Sequence, residues 1–421
     1  MTVDLPQPRA QISRAAFMDA PETLKLMMAL CGGVGDKTDE ARFVGGCVRD
    51  TVLNVKTYDI DIATIHTPDV VMARLKANGI KAIPTGIEHG TVTAVIDDHP
   101  FEITTLRRDI ETDGRHATVA FTDRWEEDAA RRDFTMNALY CTIQGDVYDY
   151  FGGLEDARAG RVKFIRDPGE RIREDYLRIL RFYRFSARFS DPQKMDGEAR
   201  RQCRAHAEEL KSISVERIQS ELIKILATPR AAWIWQMMTE DGIAHVILPM
   251  GQGTDVLQAL VKTEELLDAP ADPIRRLAAL LGESATQDGK CKTGLKLSNA
   301  DQNRLCRLVS IDPELNATTP EHQLRAAVYR NDPDYVRSAV LLNAAKTAHD
   351  PFHVRKTIEA INKIRLPAFP LTGKDAIEQG LKPGPEIGDV LSRVEDWWIA
   401  QDFLPGRMEA LKKLKTLIDQ N

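Results

Sequence analysis

Residues 41–64 read ARFVGGCVRDTVLNVKTYDIDIAT, and their pattern sets the fold of the N-terminal part of the chain. ARFV predicts a strand ending at Val44, Gly45-Gly46 a turn, and the residues from Cys47 a helix. A second strand follows, carrying Asp59 and Asp61. Glycines let a backbone approach a ligand closely, and amides at a helix start attract phosphate oxygens. Arg49, in the first turn of that helix, can fork onto a phosphate. Asp is among the poorest strand formers, and like charges on one strand face repel. Residues i and i+2 share a face, so Asp59 and Asp61 aim at one point while Ile60 and Ile62 face the core. Two convergent carboxylates suit a hard divalent cation, above all Mg²⁺. Taken alone, the DxD reads more simply as two solvated acids of an edge strand. The Gly-Gly turn and Arg49 upstream reverse that preference, making a triphosphate cradle beside a two-carboxylate metal site.

Working outward, GTVTAVIDDHPFEITTLRRD (90–109) predicts a hairpin with residues 97–100 at its turn. Glu102 alternates with Phe101 and Ile103 on its second strand. If that strand lies beside the DxD strand, Glu102 joins the carboxylates, either as a metal ligand or as acceptor of a hydroxyl proton. An exposed strand glutamate is the plain alternative. Short apolar alternations recur to about residue 165, as in ALYCTI, with a helix at 68–78 between strands. From about 170 onward strand signals nearly vanish. Segments 172–189, 214–227, 254–268, 273–282, 299–309, 320–330, 335–347, 353–364, 386–399 and 407–419 predict helices. The expected class is α+β, an α/β head followed by an all-helical remainder.

At 421 residues the chain is too long for one core. Its 43% apolar and 29% charged content is that of an ordinary globular protein. No apolar run approaches the roughly 18 residues of a membrane span, and the N-terminus lacks the pattern of a signal peptide. Six scattered cysteines without a CxxC pair suit a reducing compartment, so a cytoplasmic location is expected, with no membrane partner. A net charge of −6 argues against a uniformly basic nucleic-acid binder, and DNA is not expected as a partner. A local strip departs from that balance: residues 158–188 hold ten Lys/Arg against four Asp/Glu, which suits phosphate backbone or triphosphate. Trp397-Trp398 reads as core, and PGPEIG (383–388) as a turn into a helix start.

Six motifs in order, GGCVRD, DIDIAT, RRDFTMNAL (131–139), DYFGGLEDARAGRV (149–162), REDYLRILRFYRF (173–185) and ISVERIQSELIKIL (213–226), resemble the class II nucleotidyltransferase family. That family comprises CCA-adding enzymes and bacterial poly(A) polymerases. The likeness is dense over 40–230 and resumes at LTGKDAIEQGLKPGPEIG (371–388), which is similar to the CCA-adding branch. It implies an N-terminal extension (1–28), a nucleotidyltransferase-type head (29–165), a helical neck with a base reader (166–230), a helical body (231–345) and a tRNA-binding helical tail (346–421). It also implies that Asp59 and Asp61 bind Mg²⁺, that Gly45, Gly46 and Arg49 meet the triphosphate, and that Arg132, Asp133 and Asn137 hold the nucleotide and its ribose.

The resemblance assigns Asp175 and Arg178, with Glu174, to reading the base; Arg181 and Arg184 continue the stripe. Asp175 and Arg178 are three apart, so a continuous helix makes them neighbours. Cytosine and adenine each present an amino donor beside a ring-nitrogen acceptor. A carboxylate next to a guanidinium complements both and leaves unpaired groups against guanine and uracil. An i,i+3 surface ion pair is the plain alternative. The implied activity is template-independent addition of C, C and A to tRNA from CTP and ATP. Two other readings compete: a poly(A) polymerase with the same head, and a non-catalytic RNA-binding protein with an inactive head. Every acidic and basic site position is filled, against the last. RRLAALLGESA (275–285) lacks the His-Asp of the phosphohydrolase domain found in some relatives, so no phosphatase activity is expected. Residues 107–124 read as a full-length mobile loop able to reposition between C and A addition.

Overall fold

The computed structural model describes residues 7–31, 40–57, 59–113, 116–251, 253–282, 286–287, 290–291, 293–347 and 349–420, without the side chains of 109–119 and 286–291. Two compact units divide the chain, Met1–Pro249 and Met250–Asn421.

The first unit is built on an eight-stranded sheet. Its strands in chain order are β1 (Ala10–Gln11), β2 (Ala41–Val44), β3 (Asp61–Thr64), β4 (Lys81–Gly86), β5 (Thr91–Ile96), β6 (His99–Thr105), β9 (Leu139–Cys141) and β10 (Asp146–Asp149). A separate pair, β7 (Arg107–Asp113) and β8 (His116–Phe121), stands outside it. Across the sheet the order is β1-β10-β9-β2-β3-β6-β5-β4. All four residues of β2 are buried, as a central strand requires. β3 and β6 run parallel, with Asp61 opposite Glu102. A parallel pair needs a long crossover, which the helix Pro68–Ala77 and the strands β4 and β5 supply. The β5–β6 hairpin turns on Asp97 and Asp98, both at positive φ (49° and 64°), a conformation that Asp tolerates. Phe43, Ile62, Val92, Ile103 and Leu139 form the core beneath this sheet.

Several expectations are corrected here. Of the segment set apart as an extension (1–28), residues 1–6 lie outside the described residues, and residues from Ala10 onward pack with the head. β1 pairs with β10, and the helix Pro21–Cys31 buries Leu26 and Leu30 in the head core with Met18. A strand of two residues is too short to register as a sequence pattern. The 107–124 stretch is no open loop: β7 and β8 pair from Arg107↔Phe121 to Asp113↔His116. The DxD is not wholly in a strand either. β3 begins at Asp61, and Asp59 lies just before it, while Ile62 is fully buried and Ile60 partly so, as expected.

The predicted helix 172–189 is two helices, Pro168–Glu174 and Leu177–Phe189, because Asp175 is extended (φ −156°, ψ 105°). Its carboxylate accepts the N–H of Leu177 at 3.1 Å. Such local side-chain bonds compete with helical ones. Leu177–Phe189 packs against Val215–Leu226, and Leu180, Phe182, Leu222 and Ile225 are among the residues the two helices bury.

Among the described residues the regular structure of the second unit is helical but for one ladder of two-residue strands, Thr286–Gln287 with Lys290–Cys291. That departure from the all-helical expectation is too short to show a period. Glu264, fully buried, holds Arg275 (2.9 Å) and Arg276 (2.8 Å). Trp398 is core, 1% exposed, and donates to the carbonyl of Pro405 at 2.9 Å. Among the described residues no helix is long and apolar enough to cross a membrane.

Candidate active site

A cavity of about 490 Å³ opens in the first unit where β2, β3 and the turn at 131–137 face the neck helices. From the head it is lined by Gly45, Gly46, Arg49, Asp61, Arg132, Asp133 and Asn137. From the neck come Asp175, Leu177, Arg178, Arg181, Phe185 and Arg217. Ten of the residues expected at the site therefore meet in one place.

Gly45 sits at φ +72°, ψ −121°, which only glycine adopts readily. A Cβ there would stand 3.4 Å from the Arg132 guanidinium. The helix Gly46–Val52 starts at this turn. Its Arg49 is buried, donating to Asp50 Oδ1 from Nε (2.9 Å) and to Asn137 Oδ1 (2.6 Å). Burial lowers the Arg49 pKa, with Asp50 opposing. Its fork retains further N–H groups for a ligand. Asn137 in turn donates to Asp133 Oδ1 at 3.0 Å, and Arg181 Nε donates to Asp133 Oδ2 at 2.8 Å. Burial would raise the Asp133 pKa, but Arg181 and Asn137 outweigh it and hold the carboxyl low. A continuous polar chain thus runs from Arg49 through Asn137 and Asp133 to the neck residue Arg181.

Arg132 is fixed by Asp128, fully buried on the helix Trp125–Ala130. Asp128 Oδ2 accepts from Arg132 NH2 (3.1 Å) and from the Tyr140 hydroxyl (2.7 Å). Its Oδ1 accepts from Arg131 (2.7 Å) and from the Arg107 N–H (3.2 Å) at the root of β7. Burial opposes ionisation of Asp128, yet Arg132 and Arg131 prevail and bring its pKa down to about 2. Gly153 lets the helix Gly153–Arg158 lie on this turn, since a Cβ there would collide with the Thr135 carbonyl at 2.0 Å.

Asp61 lies opposite Glu102 in parallel register, and both are exposed. Nearby protein still removes enough water to raise the Asp61 pKa, and Glu102 and Asp59 raise it further. Among the described residues no three His, Cys, Asp or Glu side chains converge as a metal-holding group. The expected strand pairing forms, but Glu102 does not complete a three-carboxylate cluster. Neither Glu102 nor Asp59 lines the cavity. Mg²⁺ commonly takes one or two carboxylates and fills its remaining positions with water and substrate phosphates. The crowded, unpaired acids fit such a partial donor set.

The reader pair also needs correction. Asp175 does not pair with Arg178: its Oδ2 accepts from Arg217 at 2.7 Å, and Arg178 pairs with Glu174 and donates to the Arg171 carbonyl at 2.7 Å. Both nonetheless line the cavity. Glu174 is outside the lining, held between Arg171 and Arg178. Arg184 is outside it too, bound to Glu221 at 2.6 Å. The basic strip 158–188 is only partly an open cationic face: Arg158, Lys163, Arg166 and Arg173 are exposed, whereas six of its arginines are engaged. Arg161, Arg171, Arg178, Arg181, Arg184 and Arg188 all have acidic partners.

Arg217, Asp128, Tyr140 and Asp50 were given no role from sequence. Asp128 had a signal, since it stands three and four residues ahead of Arg131 and Arg132. A larger cavity, about 930 Å³, lies in the second unit. Its Arg304 is bound to Asp272, its Arg337 to Asn362 and Asp334, and its Arg275 to Glu264, so it offers little free charge.

Comparison with known proteins agrees with this geometry. Residues 41–163 match the family described as "Poly A polymerase head domain", and 194–252 match "Probable RNA and SrmB- binding site of polymerase A". These define a polymerase-type nucleotidyltransferase. The mitochondrial CCA tRNA nucleotidyltransferase 1 of Danio rerio is 32% identical over 89% of this chain and 87% of its own length. The CCA-adding enzyme of Limosilactobacillus fermentum is 33% identical over 86% and 90%. The chain belongs to the family of CCA-adding tRNA nucleotidyltransferases. The crystal structure of the Bacillus stearothermophilus CCA-adding enzyme in complex with CTP superposes with a TM-score of 0.73, at 27% identity, over 95% of this chain and 97% of that one. A Thermotoga maritima CCA-adding enzyme complexed with tRNA has the same fold, with a TM-score of 0.67 at 19% identity.

Proposed function

We propose that this chain adds C, C and A in turn to the 3′ end of tRNA, using CTP and ATP and no nucleic-acid template. The observation that carries this reading is one cavity that holds the Gly45–Arg49 cradle, Asp61 and the neck pair Asp175 and Arg178 together. The tRNA 3′ hydroxyl oxygen attacks the nucleotide α-phosphorus, the bond to the β-phosphate breaks, and pyrophosphate leaves. Gly45, Gly46 and Arg49 receive the triphosphate, and Arg132 adds a second guanidinium. Asp133 and Asn137 face the ribose, with Arg181 holding Asp133 in place. Glu102, exposed beside Asp61, takes the hydroxyl proton. Asp175 accepts from the amino group of cytosine or adenine, and Arg178 donates to the adjacent ring nitrogen. Asp59 and Asp61 are the ligands for Mg²⁺, which when bound supplies charge neutralisation for the triphosphate. The cytoplasm is the proposed location, in keeping with free cysteines at 47, 141, 203 and 306 among the described residues.

The test incubates purified protein with tRNA lacking its 3′ end, with each nucleotide alone and then with CTP plus ATP. The expected ladder is C, C, A and a stop. An open-ended A tail would replace this reading with poly(A) synthesis, and no extension at all would leave an RNA-binding protein.

A further inference from the structure

We infer that Arg217 is a specificity-determining positioning residue that fixes the base-reading carboxylate of Asp175. The inference rests on the proposed reading of Asp175 as the group that meets the base amino donor.

Asp175 stands in the one extended link between Pro168–Glu174 and Leu177–Phe189, so helical geometry does not orient its side chain. Two hydrogen bonds do. The Leu177 N–H holds Oδ1 at 3.1 Å, and Arg217 NH2 holds Oδ2 at 2.7 Å. The first comes from the neighbouring turn and moves with it. The second comes from a separate helix, Val215–Leu226, and ties the carboxylate to a fixed point.

That helix is itself firmly seated. Ile218, Leu222, Ile225 and Leu226 are buried, and Glu221, one turn beyond Arg217, is buried and bound to Arg184 at 2.6 Å. Arg217 and Glu221 are four residues apart and share a face. They meet Leu177–Phe189 and its approach through two ion pairs of opposite polarity, Arg217–Asp175 and Glu221–Arg184. The two pairs tie Val215–Leu226 to Leu177–Phe189 and its approach at two points nine residues apart. Arg217 also lines the cavity, so its grip on Asp175 is exerted at the site itself.

The chemistry follows from acceptor capacity. A carboxylate has two lone-pair directions on each oxygen. One on each is taken by Leu177 and Arg217, which leaves a defined remaining pair to meet an amino donor. Uracil and guanine present a carbonyl there, which a fixed carboxylate repels. A carboxylate free to rotate would turn away from the carbonyl and accept from another donor, so the rejection of wrong bases weakens more than the acceptance of right ones. Arg217 is thus required for discrimination rather than for the chemical step.

The experiment compares wild type, Arg217→Met, Arg217→Lys and Asp175→Ala on tRNA lacking its 3′ end, with kcat and KM for CTP and UTP and a melting temperature for each. Arg217→Met should reduce the CTP-to-UTP ratio of kcat/KM by about tenfold, equivalent to about 1.4 kcal/mol. Most of the change should lie in KM, and Arg217→Lys should regain part of the ratio. A merely structural role would lower the melting temperature and the active fraction but leave the ratio of the two nucleotides unchanged. An unchanged ratio in Arg217→Met, with Asp175→Ala relaxed, overturns the positioning role while the reader assignment stands. An unchanged ratio in Asp175→Ala overturns the reader assignment itself. A uniform rise in KM for both nucleotides in Arg217→Met would make Arg217 a phosphate contact instead. If Arg217→Met does not fold, the ratio in Arg217→Lys decides, since it keeps the charge but not the guanidinium geometry.

Discussion

Replacing Asp128 with Asn tests how the cavity's arginines are held in place. The carboxylate is fully buried and bound to Arg131, Arg132 and the Tyr140 hydroxyl. Asn keeps the shape but removes the charge, so two guanidiniums lose their partner. Breaking a buried pair from one side costs about 3–5 kcal/mol. The fall of the carboxyl pKa from 3.8 to about 2 sets the charge-dependent part. At 1.36 kcal/mol for each pH unit, that part is about 2.5 kcal/mol. The folded pKa lies below the unfolded one, so this stabilisation is complete above 3.8 and is lost as pH falls through about 2. Urea unfolding should therefore show the variant about 3–5 kcal/mol less stable at pH 7, with the gap to wild type narrowing only below about pH 4. Tyr140→Phe removes two hydrogen bonds, the one donated to Asp128 (2.7 Å) and the one accepted from Arg132 Nε (3.2 Å), and should cost about 1–3 kcal/mol. Because Arg132 faces the cavity, the Asn variant should also raise KM for CTP and ATP alike, with kcat changed less. Wild-type stability and unchanged KM in Asp128→Asn would refute the buried-clamp account. A gap that stays constant to pH 3 would refute its electrostatic part.

Asp59→Ala and Asp61→Ala should each abolish C and A addition together while tRNA binding falls little; normal turnover in either would sink the metal-site assignment. Shortening 110–118 in the β7–β8 hairpin should leave CC addition nearly intact and remove A addition, read on tRNA substrates ending before C, after C and after CC. Normal A addition on the last substrate would exclude a switching role for the hairpin. Trp398→Ala should destabilise the second unit by about 3–5 kcal/mol, followed by denaturant unfolding; a loss under about 1 kcal/mol would show that the tail repacks around the gap.

The parts legible in the sequence are those whose determinants are local. Gly45 announces its turn because its backbone needs positive φ. Ile60 and Ile62 announce a strand face by alternation, and that alternation sends Asp61 and Glu102 outward before their pairing is known. Asp175 misled because helical spacing runs through it without interruption, while the break comes from its own side chain bonding Leu177. Nothing in a 3.6-residue period reports that choice. The strand Ala10–Gln11 was missed for the opposite reason: its two residues carry no period, and only Val147 and Asp146 across the sheet make them a strand.

Ion-pair partners were the least legible feature, and the cause is physical. The pairing of Asp175 with Arg217 spans 42 residues, and that of Asp133 with Arg181 spans 48. Neighbours in sequence offered rival partners: Arg178 to Asp175, and Arg132 to Asp133. Long flexible side chains gain little from a local partner at the surface, so the packing of whole helices decides which pairs form. Asp128 is the informative exception. Its partners Arg131 and Arg132 lie within one turn, yet the pair is buried, because Tyr140 and the Arg107 amide supply the remaining bonds that a buried carboxylate requires. In this chain some cavity-lining groups are held by side chains distant in sequence, Asp175 by Arg217 and Asp133 by Arg181, and others by near neighbours, Arg132 by Asp128 and Arg49 by Asp50. A motif therefore identifies the chemistry before it can identify the geometry, and substitutions at Arg217 or Asp128 probe what the motifs leave unstated.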